Sequence, residues 1–566
     1  MNSETKSCQQ CKQAFPIEPE DFEFYDKIHV PPPTFCPDCR KQRRLSWRND
    51  FSLYNQKCGL CAKSVVTLFS PNSGMNVYCN KCWWSDKWDP KDYGMEYDFS
   101  KPFFTQMSDL IHRVPVLAMV NDNGIASVGC EYTNDFSFGK NCYMVFVAWH
   151  VENLMYSYYA IAGKDMSDVT SIMDTCELCY ECIWIQKCFN VRWAEQCASC
   201  TDSAFLYDCK DCSDCFMSAG LRHKKYCFKN QEYSKEEYAK ILASYQLDIY
   251  SGVERAKKEF TEFILQTPRK FATNTNCFTC TGDLLINGKN SKHCFNIQKA
   301  ENDKWVENAD SPKDSYDLSV GGELSLCYEG ITCDHSSKNL FGIFSWKDME
   351  VLYTHHCHSS KYLFGCASLR NAEYCILNKQ YTKEQYEELV PKIIAQMNEM
   401  PYIDAQNISY KFGEFYPAEL SYYGYNETQS QASFPLSKEE VLEKNWKWQD
   451  NLQRTIGKET LTTENIPDSI HDVTDEITKE ILACIECKRN FRILEQELDL
   501  YRKMQVPLPR RCFNCRQDAR LAKRNPYKLW HRKCMKEACP NEFETTYSPE
   551  RQETVYCERC YQNELA

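Results

Sequence analysis

Long hydrophobic runs are absent from this sequence. The longest, Val114 to Val120, is broken near its start by Pro115 and falls far short of the roughly 20 apolar residues a bilayer-spanning helix needs. A mean hydropathy of −0.59 agrees, and no membrane association is expected. The opening stretch, Met1 to Cys11, has neither the apolar core of a secretory signal nor a twin-arginine pair, so a cytoplasmic protein is the expectation. Also missing are the motifs that mark common enzyme chemistries: no nucleophile elbow, P-loop, zincin helix or dinucleotide fingerprint occurs. Carboxylates and aromatics are plentiful, but abundance is not a site. The sequence leans away from an enzyme, and a β-helix groove acting on a polymer such as a glycan would rest on fold analogy alone.

What is present in excess is cysteine, 36 in 566 residues. In a small secreted chain these would read as disulfides; here the chain is large, without an export signal, and many cysteines form C-x2-C pairs. That spacing chelates one ion well and closes a disulfide poorly, so metal is the first expectation and buried reduced thiols the second. The net charge of −12 is unevenly spread: residues 1–82 carry +3, residues 484–566 carry +5, and the body between them carries −20.

The two ends are copies of one pattern. Cys8, Cys11, Cys36, Cys39, Cys58, Cys61, Cys79 and Cys82 recur as Cys484, Cys487, Cys512, Cys515, Cys534, Cys539, Cys557 and Cys560, with matching spacing except for two extra residues in the third pair. Tyr25 to Pro33 aligns with Tyr501 to Pro509, Arg48-Asn49 with Arg524-Asn525, and Val77-Tyr78-Cys79 with Val555-Tyr556-Cys557. Each C-x2-C turn aims two sulfurs at one ion, and two such turns complete a tetrahedral thiolate shell. Four ions are therefore expected, zinc in preference to rubredoxin-type iron because no redox partner motif accompanies the cysteines. First-with-second and third-with-fourth pairing is the simpler geometry; a RING-like cross-brace stays open. Four protein sulfurs leave no position for substrate, so the zinc is expected to be structural.

The middle repeats at about two dozen residues. Ser336 to Gly342 is echoed by Ser359 to Gly365, and weaker echoes begin at Lys140, Lys164, Lys187 and Asp211. Short alternating stretches separated by polar turns suggest coils of a β-helix. Its interior would accept the thiols from Cys130 to Cys227, with further zinc on Cys176, Cys179, Cys182, Cys197, Cys200, Cys209, Cys212 and Cys215 as the alternative. The triplet His355-His356-Cys357-His358 reads as turn and surface residues. A longer duplication aligns Leu221 to Tyr238 with Leu369 to Tyr386, each copy ending in a helix opened by a capping box, Ser234 with Glu237 and Thr382 with Gln385. A further helix is predicted from Phe104 to His112.

The fold class predicted is multidomain and mainly β with helices: duplicated double zinc-ribbon modules at both termini flank a duplicated, β-helix-like (solenoid), cysteine-rich middle. The boundaries read 1–90 for the first module, 91–129 for a helical connector, 130–268 and 269–400 for the two solenoid lobes, 401–483 for an extended connector and 484–566 for the last module.

The runs Cys36-Pro37-Asp38-Cys39-Arg40-x-Gln42-Arg43-Arg44 and Tyr78-Cys79-x2-Cys82-Trp83, the two Leu-Arg-x3-Tyr-Cys endings, Phe412 to Pro417 and Pro507 to Arg510 together resemble a cysteine-rich, multi-zinc-ribbon protein family of candidate-phylum bacteria. The resemblance covers nearly the whole chain and implies architecture, not an activity.

For function, the sequence points to a zinc-binding, non-enzymatic binding or scaffold protein whose basic modules contact nucleic acid. Residues 501–536 hold twelve Lys and Arg against one acid, Asp518. Arg516, Arg520 and Arg524 there, and Arg40, Arg43 and Arg44 with Trp47 between arginines in the first module, suit phosphate oxygens and an unpaired base. Against this, each four-thiolate zinc site is itself anionic and the acidic body repels a polyanion. The alternative is a protein–protein scaffold without nucleic acid.

Overall fold

From Cys176 to Cys200 the chain presents a thiol or a small apolar side chain at every third position, and that interval organises the middle of the protein. The computed structural model describes residues 2–565 apart from Asn123, Ile125, Met173, Gln453 and Arg454. It is mainly β with helices and divides into two units, each built from two separated stretches: Met1–Met119 with Asn274–Leu452, and Val120–Thr273 with Gln453–Ala566. Each unit contains one cysteine-rich end and one parallel β-ladder.

In the second unit Cys176, Cys179, Cys182, Ile185, Cys188, Val191, Ala194, Cys197 and Cys200 share one core, none more than 2% exposed. Two residues after each of the first four inward side chains the backbone turns left-handed: φ is 53° at Leu178, 49° at Glu181, 51° at Trp184 and 50° at Lys187. Four such three-residue steps make twelve residues. The register is accordingly twelve residues: Phe189 pairs in parallel with Thr201, Val191 with Ser203 and Arg192 with Ala204. The first unit follows the same step, Lys304 to Tyr316 to Tyr328 and Met349 to Lys361 to Glu373. The echoes read from the sequence thus span about two register steps. The strongest, Ser336 to Gly342 with Ser359 to Gly365, is one residue out of register: Leu363 lies in line with Val351 and Asn339, not with Leu340.

Left-handed backbone costs an ordinary L-residue about 1–2 kcal/mol, least for Asn and Asp, whose short polar side chains bond locally. The ladder uses them in columns. Asn290 donates to Asn302 at 3.0 Å and Asn302 to Asp314 at 2.9 Å; Asn153 donates to Asp165 at 2.6 Å and Asn190 to Asp202 at 2.7 Å. All seven sit at φ between 47° and 59°. Inside, a thiol fills little space and still donates weakly: Cys200 Sγ lies 3.4 Å from the Ala198 carbonyl and 3.3 Å from that of Cys209, nine residues on.

The twelve cysteines from Cys130 to Cys227 are all at most 2% exposed, none is in a disulfide, and among the described residues they form no metal-sized group. A thiol reagent such as Ellman's is expected to spare them in the folded chain and to reach them only in denaturant. Peptide mapping that finds Cys179 or Cys200 modified under native conditions would contradict this packing.

Helices Lys235–Tyr245 and Lys383–Glu399 open on the predicted capping boxes of Ser234 and Thr382. Helix Phe103–Arg113, close to the predicted span, lays Phe103 against Tyr353 and Phe364 at ring distances of 5.0 and 5.4 Å. The stretch 401–483 is shared between the units, 401–452 belonging to the first. There Tyr416 and Tyr422 are buried against Trp47 at 5.3 and 5.5 Å.

The histidine triplet is not on the surface. His355, His356 and His358 are 1%, 2% and 5% exposed, because the aromatic stretch and the first module cover this flank of the ladder. His355 Nε2 meets the Tyr422 hydroxyl at 2.9 Å, His356 stacks on Phe344 at 4.9 Å, and His358 lies edge-on to Trp83 at 5.2 Å. Burial holds the His356 pKa down to about 3. Below the ordinary histidine range the unfolded chain takes up a proton that the folded chain refuses. This group's share of stability is therefore present above about pH 6.5 and is lost as pH falls towards 3, at up to about 1.4 kcal/mol per pH unit. The His356 ring resonances are expected to stay at neutral-imidazole positions from pH 8 down to 5; a midpoint near 6.5 would contradict the burial.

Candidate metal centres

Each centre joins two kinds of turn. The first knuckle, Cys8 to Cys11, closes the hairpin of strands Glu4–Ser7 and Ala14–Ile17, and Lys12 just beyond it takes φ 63°. The second supplies Cys36 as the residue capping helix Pro37–Leu45, with Cys39 in its first turn. The C-terminal copy repeats this with Lys488 at φ 61° and Cys512 capping helix Phe513–Ala522. A helix N-terminus presents free N–H groups, a favourable setting for thiolate.

The sulfurs converge in four groups: Cys8, Cys11, Cys36 and Cys39; Cys58, Cys61, Cys79 and Cys82; Cys484, Cys487, Cys512 and Cys515; Cys534, Cys539, Cys557 and Cys560. Within each group all four lie within 4.8 Å of one another. Pairing is therefore sequential, and the cross-brace does not occur. Sulfur–sulfur separations are 3.6 Å for Cys11–Cys36, 4.0 Å for Cys61–Cys79, 3.6 Å for Cys487–Cys512 and 3.8 Å for Cys539–Cys557. Four sulfurs at about 2.3 Å from a central ion would stand about 3.8 Å apart, so all four groups could hold a metal ion. The wider Cys534-x4-Cys539 loop closes as tightly as the others.

Backbone amides aim at the sulfurs as well. The Cys79 N–H donates to Cys58 Sγ and that of Cys557 to Cys534 Sγ, both at 3.3 Å. Burial pushes the Cys58 thiol up, but the amides of Cys79, Cys61 and Leu60 together outweigh it and bring the pKa to about 6. Cys484 is brought to about 7 against the same burial by the amides of Cys487, Cys512 and Glu486. Thiols held this way are ready to bind a cation.

The arginines read as phosphate contacts are placed elsewhere, and this corrects the sequence reading. Arg40, Arg43, Arg44 and Trp47 are each 1% exposed, Arg516 is 5% and Arg520 is 4%. On helix Pro37–Leu45 the i, i+3, i+4 spacing sets Arg40, Arg43 and Arg44 on one face, and that face meets the acidic ladder. Arg40 pairs with Asp317 at 2.9 Å, Arg44 with Asp317 at 3.2 Å, and Arg43 with Glu329 at 2.8 Å and Glu414 at 3.0 Å. In the second unit Arg516 and Arg520 both reach Asp168, at 2.9 and 2.5 Å. Arg516 stands where Arg40 stands: each donates to the carbonyl five residues earlier, Arg511 and Phe35, and each covers a ladder aromatic, Tyr156 and Trp305. Arg524 is half-buried over Tyr527, and Trp47 is buried among Tyr416 and Tyr422. None of these but Arg524 lies where a polyanion could meet it.

Sequence reasoning missed the carboxylate partners Asp317, Glu329 and Asp168. Their signal was present: Asp168 and Glu181 stand 148 or 149 residues before Asp317 and Glu329, the offset of the middle duplication. The aligned Tyr25 and Tyr501 also pack alike, on Tyr328 and Tyr180, each at 5.5 Å.

No protein-family model matches the sequence, and no curated protein matches it. Among solved structures, one described as "putative acetyltransferase from Desulfovibrio desulfuricans G20" is matched at 9% identity over 51% of this chain and 85% of that one, with a TM-score of 0.11. A likeness that slight supports no statement about fold or activity.

Proposed function

We propose that this is a zinc-binding, non-enzymatic scaffold in which four structural zinc ions fasten the two ends of the chain onto β-solenoid lobes. The observation that carries this reading is the paired arrangement of closed thiolate sites and buried arginines. In each unit the helix that begins at a metal knuckle is the helix whose arginines grip the ladder carboxylates. Zinc suits closed four-sulfur sites with no redox partner, and such sites leave no coordination position for substrate. The twelve-residue parallel register supports reading each ladder as stacked coils of a solenoid. X-ray absorption at the zinc edge of purified protein tests the assignment: a shell of four sulfurs at about 2.3 Å is expected, and nitrogen or oxygen neighbours, or an iron edge, would overturn it.

A protein-binding scaffold is preferred to nucleic-acid contact, because five of the six guanidinium groups suited to phosphate, all but that of Arg524, are already paired with carboxylates. Mixed-sequence oligonucleotides are expected to show no binding that strengthens as salt is lowered; a steep salt dependence would restore the nucleic-acid reading.

A further inference from the structure

The second unit contains a cavity of about 260 Å³ between the outer face of its ladder, helix Tyr250–Leu265 and the C-terminal module. Its walls are aromatic: Trp193 and Phe205 stack at 4.7 Å, and Phe260 stands edge-on to Phe205 at 5.6 Å. Four cations line it. Three already have carboxylates: Lys523 pairs with Glu195 at 2.9 Å, Lys257 with Glu181 at 3.0 Å, and Arg551 with Glu553.

Arg269 does not. It is 4% exposed, its guanidinium lies over the Tyr207 ring at 4.0 Å, and its buried Nη1 has no hydrogen-bond partner. The indole N–H groups of Trp184 and Trp193, two further lining residues, are likewise buried without an acceptor. A buried donor left unpaired is costly, a buried cation more so. Every unpaired group named here is a donor, so what is missing is an acceptor.

The first unit shows how the matching place is filled. Phe205 and Tyr207 correspond to Tyr353 and His355 at the 148-residue offset that aligns Leu221 with Leu369. Tyr416 and Tyr422 cover those two at ring distances of 5.9 and 5.6 Å. In the second unit other residues stand over those two positions: Phe260 lies edge-on to Phe205 at 5.6 Å and the Tyr547 hydroxyl lies 3.1 Å from that of Tyr207.

We propose that this cavity binds a flat aromatic monocarboxylate, its ring among Trp193, Phe205 and Phe260 and its carboxylate on Arg269. One unpaired cation matches one negative charge, and Glu195 and Glu553 in the same wall disfavour a second.

Calorimetric titration of the full zinc-loaded chain with 2-naphthoate tests this. Saturable one-to-one binding is expected, weaker by about tenfold or more for neutral 2-naphthalenemethanol, as the loss of a charge-assisted hydrogen bond implies. Dianionic 2-naphthyl phosphate at pH 8 is expected to bind more weakly than the carboxylate. Arg269→Met, with its fold checked by circular dichroism, should lose naphthoate binding by a similar factor. Absent naphthoate binding, equal binding of the alcohol, tighter binding of the phosphate, or undiminished binding by a folded R269M chain would each overturn the proposal. The alcohol and phosphate comparisons use the unaltered protein, so they decide the question even where the variant does not fold.

Discussion

Removing metal from the reduced chain with a strong chelator is expected to unfold the knuckle hairpins of both cysteine-rich ends while leaving ladder structure behind. The knuckle hairpins have little else beside them, whereas the helices that follow are also held to the ladders by Arg40, Arg43, Arg516 and Arg520. Among the described residues, the cluster around Cys484, Cys512 and Cys515 adds only the partly buried Phe491, and that around Cys534, Cys557 and Cys560 adds Cys539, Phe543 and Tyr556. Structural thiolate sites of this kind supply about 10–16 kcal/mol of apparent binding free energy at neutral pH, more than a typical domain's whole stability. The ladders have apolar cores of their own, such as that of Val351, Leu363, Leu369 and Cys375. Limited proteolysis after chelation should therefore cut first within residues 1–82 and 484–565, while β-structure seen by far-ultraviolet circular dichroism persists in part. Unchanged resistance of the ends after verified metal loss would contradict a structural role for the ions.

Asp317→Ala is expected to be the most damaging single substitution in the first unit outside the cysteines. It would leave Arg40, nearly fully buried, without the carboxylate it now meets at 2.9 Å, and Arg44 with Glu329 alone at 3.5 Å. Removing one partner of a buried ion pair costs about 3–5 kcal/mol, because the remaining charge is stranded away from water. Burial works to strip the proton from Arg40, and Asp317 is the first of the groups that hold it on. The cost should be visible as a lowered urea midpoint. Adding Arg40→Met to Asp317→Leu should recover part of it, since an apolar replacement of a buried pair is often neutral. Asp168→Ala should do the same in the second unit, where Arg516 and Arg520 share that carboxylate. A loss below about 1 kcal/mol, the range of an exposed pair, would mean that the arginines are solvated after all.

The candidate metal centres were legible because C-x2-C spacing is local chemistry, and because eight cysteine positions recur in one order at both ends. Sequential pairing was favoured as the simpler geometry and is what the sulfurs adopt, but the cross-brace stayed open because a knuckle's sequence says nothing about which hairpin lies beside it. The ladder was half legible. Its thiols stood out, but a template of alternating strand residues misreads a chain that turns at Leu178, Glu181 and Trp184 and points every third side chain inward. The run Cys176, Cys179, Cys182 and the run Cys209, Cys212, Cys215 stated that interval directly. The arginines were misplaced for a different reason. A helix bearing Arg40, Arg43 and Arg44 looks solvated by composition, and the carboxylates that bury it lie more than 270 residues away in the chain. No local pattern announces a partner at that distance; only the parallel duplication of both partners could have.

Elemental analysis of the purified chain, alone and with Cys39→Ser or Cys515→Ser, weighs the metal reading against its simplest rival, a set of free thiols. About four zinc ions per chain are expected, falling by one in each variant while the other centres stay loaded. A chain folded with no bound zinc, or a zinc content indifferent to both substitutions, would contradict it.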